Sequence, residues 1–303
     1  MQSFFQELGR KLAEQWVSLL VLPGLLFVAA ACAASGLGQR RALDCDRGAH
    51  LASRWTAHLA RLPVSSRLVV AVVLLLAAAG LGLVVRALAG ATRRLWLGAW
   101  PWPLAAAGRR LTARRQRRWH HEADRRREWE RSSPHASRSV EEQHRIDASA
   151  ARLNRLSPAR PARPTWMGDR IQAVEQVALH RSGLDLSFAW PRLWLVLPDG
   201  VRAEIGAAYA AFARATTVGS WAWPYLALGA VWWPAALIGA GVGMTGWAAA
   251  RTAVADLAAL SEAAVDLHAR TLAQALGVGR PEAVGPVTLA EGEAITALVR
   301  KGR

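Results

Sequence analysis

The sequence predicts an all-α integral membrane protein with about four transmembrane helices and a helical, partly disordered cytoplasmic loop. Two observations predict this fold class: the chain has uncharged stretches of membrane length, and a very basic loop separates them. The uncharged stretches are residues 16–38, 68–85 and 215–250. A spanning helix needs about 20 apolar residues, and backbone in lipid must satisfy its hydrogen bonds within a helix or closed barrel. The third stretch, with 36 residues, is expected to cross twice.

Changes in composition divide the chain into five segments. The first holds two transmembrane helices and an interfacial segment, and the second is a basic cytoplasmic arm with a proline-rich linker. A packed cytoplasmic helical segment, a transmembrane hairpin and cytoplasmic C-terminal helices follow. The bounds of the five segments are 1–107, 108–165, 166–214, 215–250 and 251–303.

The N-terminus permits more than one structural interpretation. Phe4, Phe5, Leu8 and Leu12 share one helical face, which is typical of an amphipathic helix on the membrane surface. The same residues also suit the first turns of a long spanning helix. A cleaved signal peptide is a further alternative, although acidic residues precede the apolar run and that run is longer than usual.

Two short segments flank the second predicted span. In the 39–67 loop, the residues from Arg54 to Leu62 predict an amphipathic helix that Pro63 ends. After the span, residues 95–108 are apolar but too short and too rich in proline to cross a bilayer. Their tryptophans suit the head-group region, so an interfacial segment is expected there.

Residues 109–131 form the basic run, with ten arginines against four acids. The arginines are distributed around the predicted helix rather than along one face, and Glu122 is expected to pair with Arg126 at i,i+4. Three interpretations stay open: a solvated helix that only sets orientation, a contact for anionic lipid head groups, and a nucleic-acid contact without stacking aromatics or a known motif. The candidate contacts for anionic lipid or a protein partner are Arg109, Arg110, Arg114, Arg115, Arg117, Arg118, Arg125, Arg126 and Arg127.

Capping and periodicity predict the helices that follow the basic run. Ser139 and Glu142 form a capping box for the next helix, which a proline-rich linker follows. A helix with one apolar face begins at Trp166 and ends at Gly183. The apolar residues of 188–197 then either pack on that helix or enter the membrane interface.

The 215–250 stretch predicts a helical hairpin whose turn is the WWP sequence at 232–234. The helix that enters the hairpin begins near Asp199 and is expected to continue without a break to Trp223. Small residues in the second arm allow close helix packing, either within the chain or against a second copy. This small-residue stripe consists of Ala235, Gly239 and Gly243.

The C-terminal part of the chain is also predicted to be helical. The helix that leaves the hairpin continues to about Leu276, with an apolar seam that suits pairing with the helix entering the hairpin. Thr288 and Glu291 are spaced to cap a short last helix.

No catalytic or cofactor motif occurs in the sequence: HExxH, GxxxxGK[ST] and GxSxG are absent and the histidines are scattered. Cys32 lies inside the first apolar run and Cys45 outside it, so no disulfide, zinc site or redox pair is expected. The predicted spans lack an acidic residue at mid-depth, which a coupled transporter usually has. The sequence therefore predicts no enzyme activity, no metal and no cofactor.

The net charge of +16 favours anionic partners. Lys11 and Lys301 are the two lysines among 38 basic residues, so the charge is carried by arginine. Basic residues flanking transmembrane helices are concentrated on the cytoplasmic side. The many arginines of the 93–214 loop therefore predict that this loop and both termini lie in the cytoplasm.

The motifs WMGDR, SGLDL and WPRLWLVLPD, all within residues 166–199, resemble a segment of uncharacterised multi-pass membrane proteins of GC-rich actinobacteria. The resemblance covers residues 166–303 and does not include the basic arm. It implies a multi-pass protein of a bacterial plasma membrane, and no activity is attached to that group.

The leading functional hypothesis is a non-enzymatic membrane anchor or scaffold that binds a cytosolic partner or anionic lipid. The first alternative is a membrane-perturbing or pore-forming effector triggered through its cytoplasmic part, because uncharged spans with a glycine stripe suit oligomerising helices. A transporter subunit is the second alternative. Membrane lipids and a protein of unknown identity are the expected partners, and nucleic acid and further copies of the chain are the remaining candidates.

Overall fold

The computed structural model describes residues 22–39, 42–134, 138–280 and 282–300. Within these ranges the regular structure consists of eleven α-helices and one 3₁₀ turn (Trp102–Leu104), without a β-strand, which confirms the all-α prediction. The helices are α1 (Leu22–Leu37), α2 (Cys45–Arg61), α3 (Val64–Trp96), α4 (Ala105–Ser132), α5 (Val140–Leu156), α6 (Trp166–Ser182), α7 (Leu186–Val196), α8 (Asp199–Ser220), α9 (Ala222–Leu228), α10 (Trp233–Ala275) and α11 (Leu289–Arg300).

The chain divides into two compact units. Unit 1 comprises Met1–Arg93 and Ala213–Ala250, and unit 2 comprises Arg94–Phe212 and Arg251–Arg303. This division groups the chain differently from the five segments predicted from sequence. The interfacial segment belongs to unit 2 rather than to the first helices, and the basic arm shares unit 2 with the C-terminal helices.

One helix among the described residues, α3, is long and apolar enough to cross a membrane. It has 33 residues, and its most apolar stretch has a mean hydropathy of 3.0 and is only 17% buried. The described part of the first apolar stretch is α1, which is apolar but has only 16 residues, fewer than the roughly 20 that a crossing needs. The hairpin arms are richer in glycine and alanine, and a break at Trp221 interrupts the entering helix that was expected to be continuous. Four crossings therefore stay a prediction.

Close helix contacts build the interior of unit 1. Gly24 of α1 approaches α3 so closely that a Cβ at this position would lie 2.5 Å from the carbonyl oxygen of Ala78. The rings of Phe27 and Tyr225 meet edge to face with centroids 5.3 Å apart. Tyr225 belongs to a buried cluster with Val85, Trp221 and Ala235.

The hairpin turn of unit 1 is held by the end of α1. The Gln39 side-chain nitrogen donates to the carbonyls of Gly229 and Ala230 at 3.0 and 2.7 Å, and its oxygen accepts the Trp233 N–H at 3.2 Å. The turn occupies residues 229–232, slightly earlier than the predicted 232–234. Pro234 lies in the first turn of α10, where its missing N–H has no helical acceptor to lose.

The core of unit 2 is formed by apolar residues of α6, α7, α8, α10 and α11. The predicted start of α6 at Trp166 is confirmed, and Gly183 ends the helix with a φ of +69°. The Ser139–Glu142 capping box is also confirmed. The sequence left two alternatives for residues 188–197, packing on the preceding helix or entering the membrane interface. The structure shows packing, because Leu193 and Leu197 are buried in this core.

The C-terminal helices of unit 2 follow the predicted caps. Helix α10 ends at Ala275, close to the predicted Leu276. The Thr288 hydroxyl accepts the Glu291 N–H, and the Glu291 carboxylate accepts the Thr288 N–H and O–H, so α11 begins with a reciprocal cap. Arg270 adds a two-point ion pair to Glu291 at 2.7 and 3.0 Å.

Some predictions concern residues outside the described ranges. These are the amphipathic segment 3–15, the signal-peptide alternative, and the C-terminal end at 301–303. Cys32 is an exposed free thiol in α1.

Candidate functional site

The nine candidate arginines of α4 fall into three structural groups. Arg115 belongs to the first group because it points into unit 2, where its guanidinium pairs with Asp169 at 2.6 Å. The Asp169 side chain is 2% exposed, and its second oxygen accepts the backbone N–H groups of Ala162 and Arg163 at 2.8 and 2.7 Å. Arg115 also donates to the Leu156 carbonyl, so it is an internal tie and not a free contact for a partner.

The Arg115–Asp169 pair holds the proline-rich linker against two helices. Gln116 donates to the Pro161 carbonyl at 2.8 Å, and the Trp119 indole donates to the Ser157 carbonyl at 3.2 Å. The linker therefore packs on α4. Sequence reasoning missed Asp169, because an acidic residue in the first turn of a helix is usually explained by the helix dipole.

The second group pairs with acids of α4 itself. Arg125 contacts Glu122 at 3.4 Å, and Arg126 contacts Glu130 at 2.8 Å. Arg127 contacts Asp124 at 3.0 Å. The expected Glu122–Arg126 pair is therefore not formed, because Glu130 offers Arg126 an alternative at the same i,i+4 spacing.

The third group is exposed and has no ion pair within the described part of the chain. Its members lie away from the packed side of α4, which carries Gly108, Arg115, Trp119 and Ala123. In the first half of α4 the exposed arginines therefore leave out the side that packs on the linker, and the arginine on that side, Arg115, is paired internally. We call this group the arginine face; it consists of Arg109, Arg110, Arg114, Arg117 and Arg118.

Exposed apolar side chains precede the arginine face along the chain. Trp102 is 90% exposed and Leu104 is 43% exposed. Trp100 is held differently, because its indole donates to the Leu95 carbonyl at 2.9 Å. An amphipathic ring and cations are both favoured at the head-group region of a bilayer, so an exposed tryptophan shortly before exposed arginines along the chain suits such a surface.

The small-residue stripe of α10 packs within unit 1. Ala235 is fully buried, and a Cβ on Gly239 would lie 3.0 Å from the Leu226 nitrogen and 3.1 Å from the Ala222 oxygen. A Cβ on Gly243 would lie 3.2 Å from the Ala222 Cβ. The stripe continues to Gly246, which the sequence analysis did not single out and which lies against backbone atoms of α8.

Unit 1 also contains hydrogen-bonded polar side chains that the sequence did not predict. The Ser220 hydroxyl donates to the Thr92 hydroxyl at 2.8 Å, and the Trp223 indole donates to the same oxygen at 3.0 Å. Thr92 and Ser220 are separated by 128 positions, so no local pattern marks the contact. The group ties α3 to the helix that enters the hairpin.

The described residues contain no cluster of three or more His, Cys, Asp or Glu side chains that could hold a metal ion. His121 and Asp124, adjacent on one turn of α4, are exposed, and Asp124 pairs with Arg127. No family model, curated protein or solved structure matches this chain.

Proposed function

We propose that this chain is a multi-pass protein of a bacterial plasma membrane that acts as a non-enzymatic anchor or scaffold. The observation that carries the proposal is the apolar surface of α3, because only 17% of its most apolar stretch is buried inside the protein. Leaving that surface in water costs about 25 cal/mol per Å², whereas lipid covers it without cost. The exposed large side chains of this helix between 68 and 84 are Leu68, Val69, Val72, Val73, Leu74, Leu75, Leu76, Leu83 and Val84.

The proposal includes four crossings, made by α1, α3 and the two hairpin arms. Residues 215–228 and 233–250 would extend about 21 and 27 Å as helix, somewhat less than the hydrocarbon core of about 30 Å, and local thinning of the bilayer accommodates such a difference. Both arms carry exposed apolar side chains, among them Val218, Leu226 and Leu237. The contacts of Gln39 support an even number of crossings, since they join the hairpin turn to the end of α1.

In this topology the N-terminus, unit 2 and the C-terminus are cytoplasmic. The arginine face then lies on the side of the membrane where flanking arginines are usually found. Each exposed arginine near an anionic surface contributes about 1 kcal/mol of attraction. The five unpaired arginines, with Trp102, are the best candidates for contacts to anionic lipid, and the paired arginines are the weakest.

Retention of lipid by the purified full-length protein tests the contact. A variant in which all five arginines of the arginine face become glutamine should lose most of its co-purified anionic lipid and keep its neutral lipid. The matched control changes Arg125, Arg126 and Arg127 to glutamine, which removes three charges that are already paired. Equal loss of anionic lipid from both variants would contradict the assignment.

The anchor hypothesis is favoured over a pore because of the small-residue stripe. The pore hypothesis drew on this stripe as a surface for oligomerisation, but its glycines are occupied by helices of the same chain. A single-channel recording of the reconstituted protein separates the two hypotheses, since an anchor gives no conductance above that of empty bilayers. A transporter subunit has no support from a charged group inside the proposed spans.

A further inference from the structure

Unit 2 contains a cavity that the proposed anchor function does not use. Its volume is about 640 Å³, and it lies among α6, α7, α8 and α10. The walls are mostly apolar, with Trp190, Trp194, Ile205 and Leu257 among the lining residues. Ligand sites typically have volumes of about 300–1,000 Å³ and apolar walls with few polar groups. We call this cavity the apolar groove.

The backbone leaves open space at the groove instead of filling it. Gly206 of α8 lines the groove, and a Cβ added there would meet no atom within 4 Å. Pro191 of α7 also lines it and has no amide hydrogen, so the Ser187 carbonyl lacks its usual helical donor. The groove therefore has room for a ligand. The Ser187 carbonyl is a hydrogen-bond acceptor near its wall.

The charge of the groove is opposite to that of the whole chain. Glu175 is the one charged side chain in its described lining, which contains no arginine, lysine or histidine. Burial raises the pKa of the Glu175 carboxyl, although Arg163 opposes the effect. An anionic head group would meet an acid and no basic residue in the groove lining, whereas a hydroxyl or an ammonium group would find an acceptor.

The surrounding chain indicates where such a ligand would come from. Tyr209 lines the groove four residues before the segment of α8 that belongs to unit 1, and Leu257 lines it shortly after the corresponding segment of α10. In the proposed topology these unit 1 segments lie in the bilayer, and this step rests on the proposed function. Single-chain lipids of the bilayer are then the nearest source of apolar ligands.

We infer that the apolar groove binds a single-chain aliphatic amphiphile from the membrane whose head group is uncharged or cationic. The chain lies against Trp190 and Trp194, and the head group donates a hydrogen bond to Glu175. Binding of this kind would make unit 2 a receptor for a membrane-derived amphiphile, in addition to an anchored surface.

Photo-crosslinking of the full-length protein in phosphatidylcholine nanodiscs tests the inference. Three probes share one diazirine-bearing C16 chain and end in a hydroxyl, an amine or a carboxylate. After illumination, mass spectrometry should find α7 and the 199–212 part of α8 labelled by the alcohol and the amine at least fivefold more than by the acid. Equal labelling of these helices by all three probes would overturn the inference.

Two variants and one control complete the experiment. Gly206→Leu fills the groove and should lower labelling of α7 by at least fivefold, whereas Gly200→Leu in the same helix, also in open space and not in the groove lining, should leave it unchanged. Glu175→Gln should lower labelling by the amine relative to the alcohol. Undiminished labelling in Gly206→Leu would also overturn the inference.

The same data separate failure of the groove from failure of the proposed membrane placement. Labelling of α3 by all three probes, independent of head group and of Gly206→Leu, reports that this helix contacts lipid. Labelled α3 with unlabelled α7 would reject the groove alone. Unlabelled α3 would reject the membrane placement, whatever the result for α7.

Discussion

Asp169 illustrates how a single residue organises much of unit 2. Its carboxylate is almost fully buried and receives four donors: two from Arg115 and two from the backbone of the proline-rich linker. A buried charge is tolerated only when it is paired and hydrogen-bonded. The linker, α4 and α6 are therefore joined by one side chain, and the position of the arginine face depends on it.

Replacing Asp169 with alanine is predicted to destabilise the protein by about 3 kcal/mol, because Arg115 and two linker N–H groups lose their acceptor. Denaturant unfolding of the purified protein measures the change. Asp124→Ala is the control, since its pair with Arg127 is exposed and the expected change is within about 0.5 kcal/mol. Comparable losses in both variants would contradict the role given to Asp169.

Glu291 is predicted to make the attachment of α11 sensitive to acid. Arg270, followed by the N–H and hydroxyl of Thr288, lowers the pKa of Glu291 from 4.5 to about 2. A lowered pKa in the folded state stabilises the fold above the unfolded pKa, and this contribution is lost as the pH falls from about 4.5 through about 2. The protection factors of the α11 amides, which compare measured exchange with intrinsic exchange at the same pH, should fall over that range, and Glu291→Gln should weaken the dependence. Unchanged pH dependence in that variant would speak against the pair.

At the scale of elements, α10 shows how one helix meets two environments. Its stripe of Ala235, Gly239 and Gly243 approaches neighbouring helices, while Leu237 and Met244 are exposed. Small residues allow close backbone approach, and the large apolar residues on the other side stay exposed. The alternation arises from the helical repeat, which returns to the same face every three or four residues.

Gly239→Leu is predicted to destabilise unit 1 by about 1–3 kcal/mol, because the new side chain must displace backbone atoms of α9. Thermal unfolding in detergent gives the comparison. Gly241→Leu in the same helix is the matched control, since a Cβ there meets no atom within 4 Å. The packed stripe would be refuted by equal melting temperatures of the Gly239→Leu protein and the wild type.

For the whole molecule, the question of topology depends on the hairpin. A single crossing of residues 215–250 would use about 20 of them and leave about 16 largely apolar residues in water. Two crossings cover nearly all of them and place the turn, with Trp232 and Trp233, at the far interface, where tryptophan is favoured. The indole of Trp232 already donates to the Ala42 carbonyl after α1, at 3.1 Å.

Cysteine labelling tests this topology in a background where Cys32 and Cys45 are replaced by alanine. Pro234→Cys should react with a membrane-impermeant maleimide in intact spheroplasts. Gly302→Cys should react only after lysis, because the proposed C-terminus is cytoplasmic. Reaction of position 302 in intact cells would mean an odd number of crossings.

Most of the helices were predictable from sequence, but the division of the candidate arginines into paired and exposed groups was not. The starts of α5, α6 and α11 are encoded by residues three or four positions apart, such as Ser139 with Glu142. The division of the arginines was not readable, because Arg115 and Asp169 are separated by 54 positions. A basic run shows which residues carry charge, but not which of them find partners in the folded chain.

By itself, the sequence determined the all-α class, the apolar character of α3 and the caps of several helices, because these depend on composition and on neighbours within one helical turn. The tertiary structure alone decided that Gln39 holds the hairpin turn, that the stripe packs within the chain and that Glu175 lines the apolar groove. Each of these features depends on contacts between distant segments, whose free energy is gained only after the helices have packed.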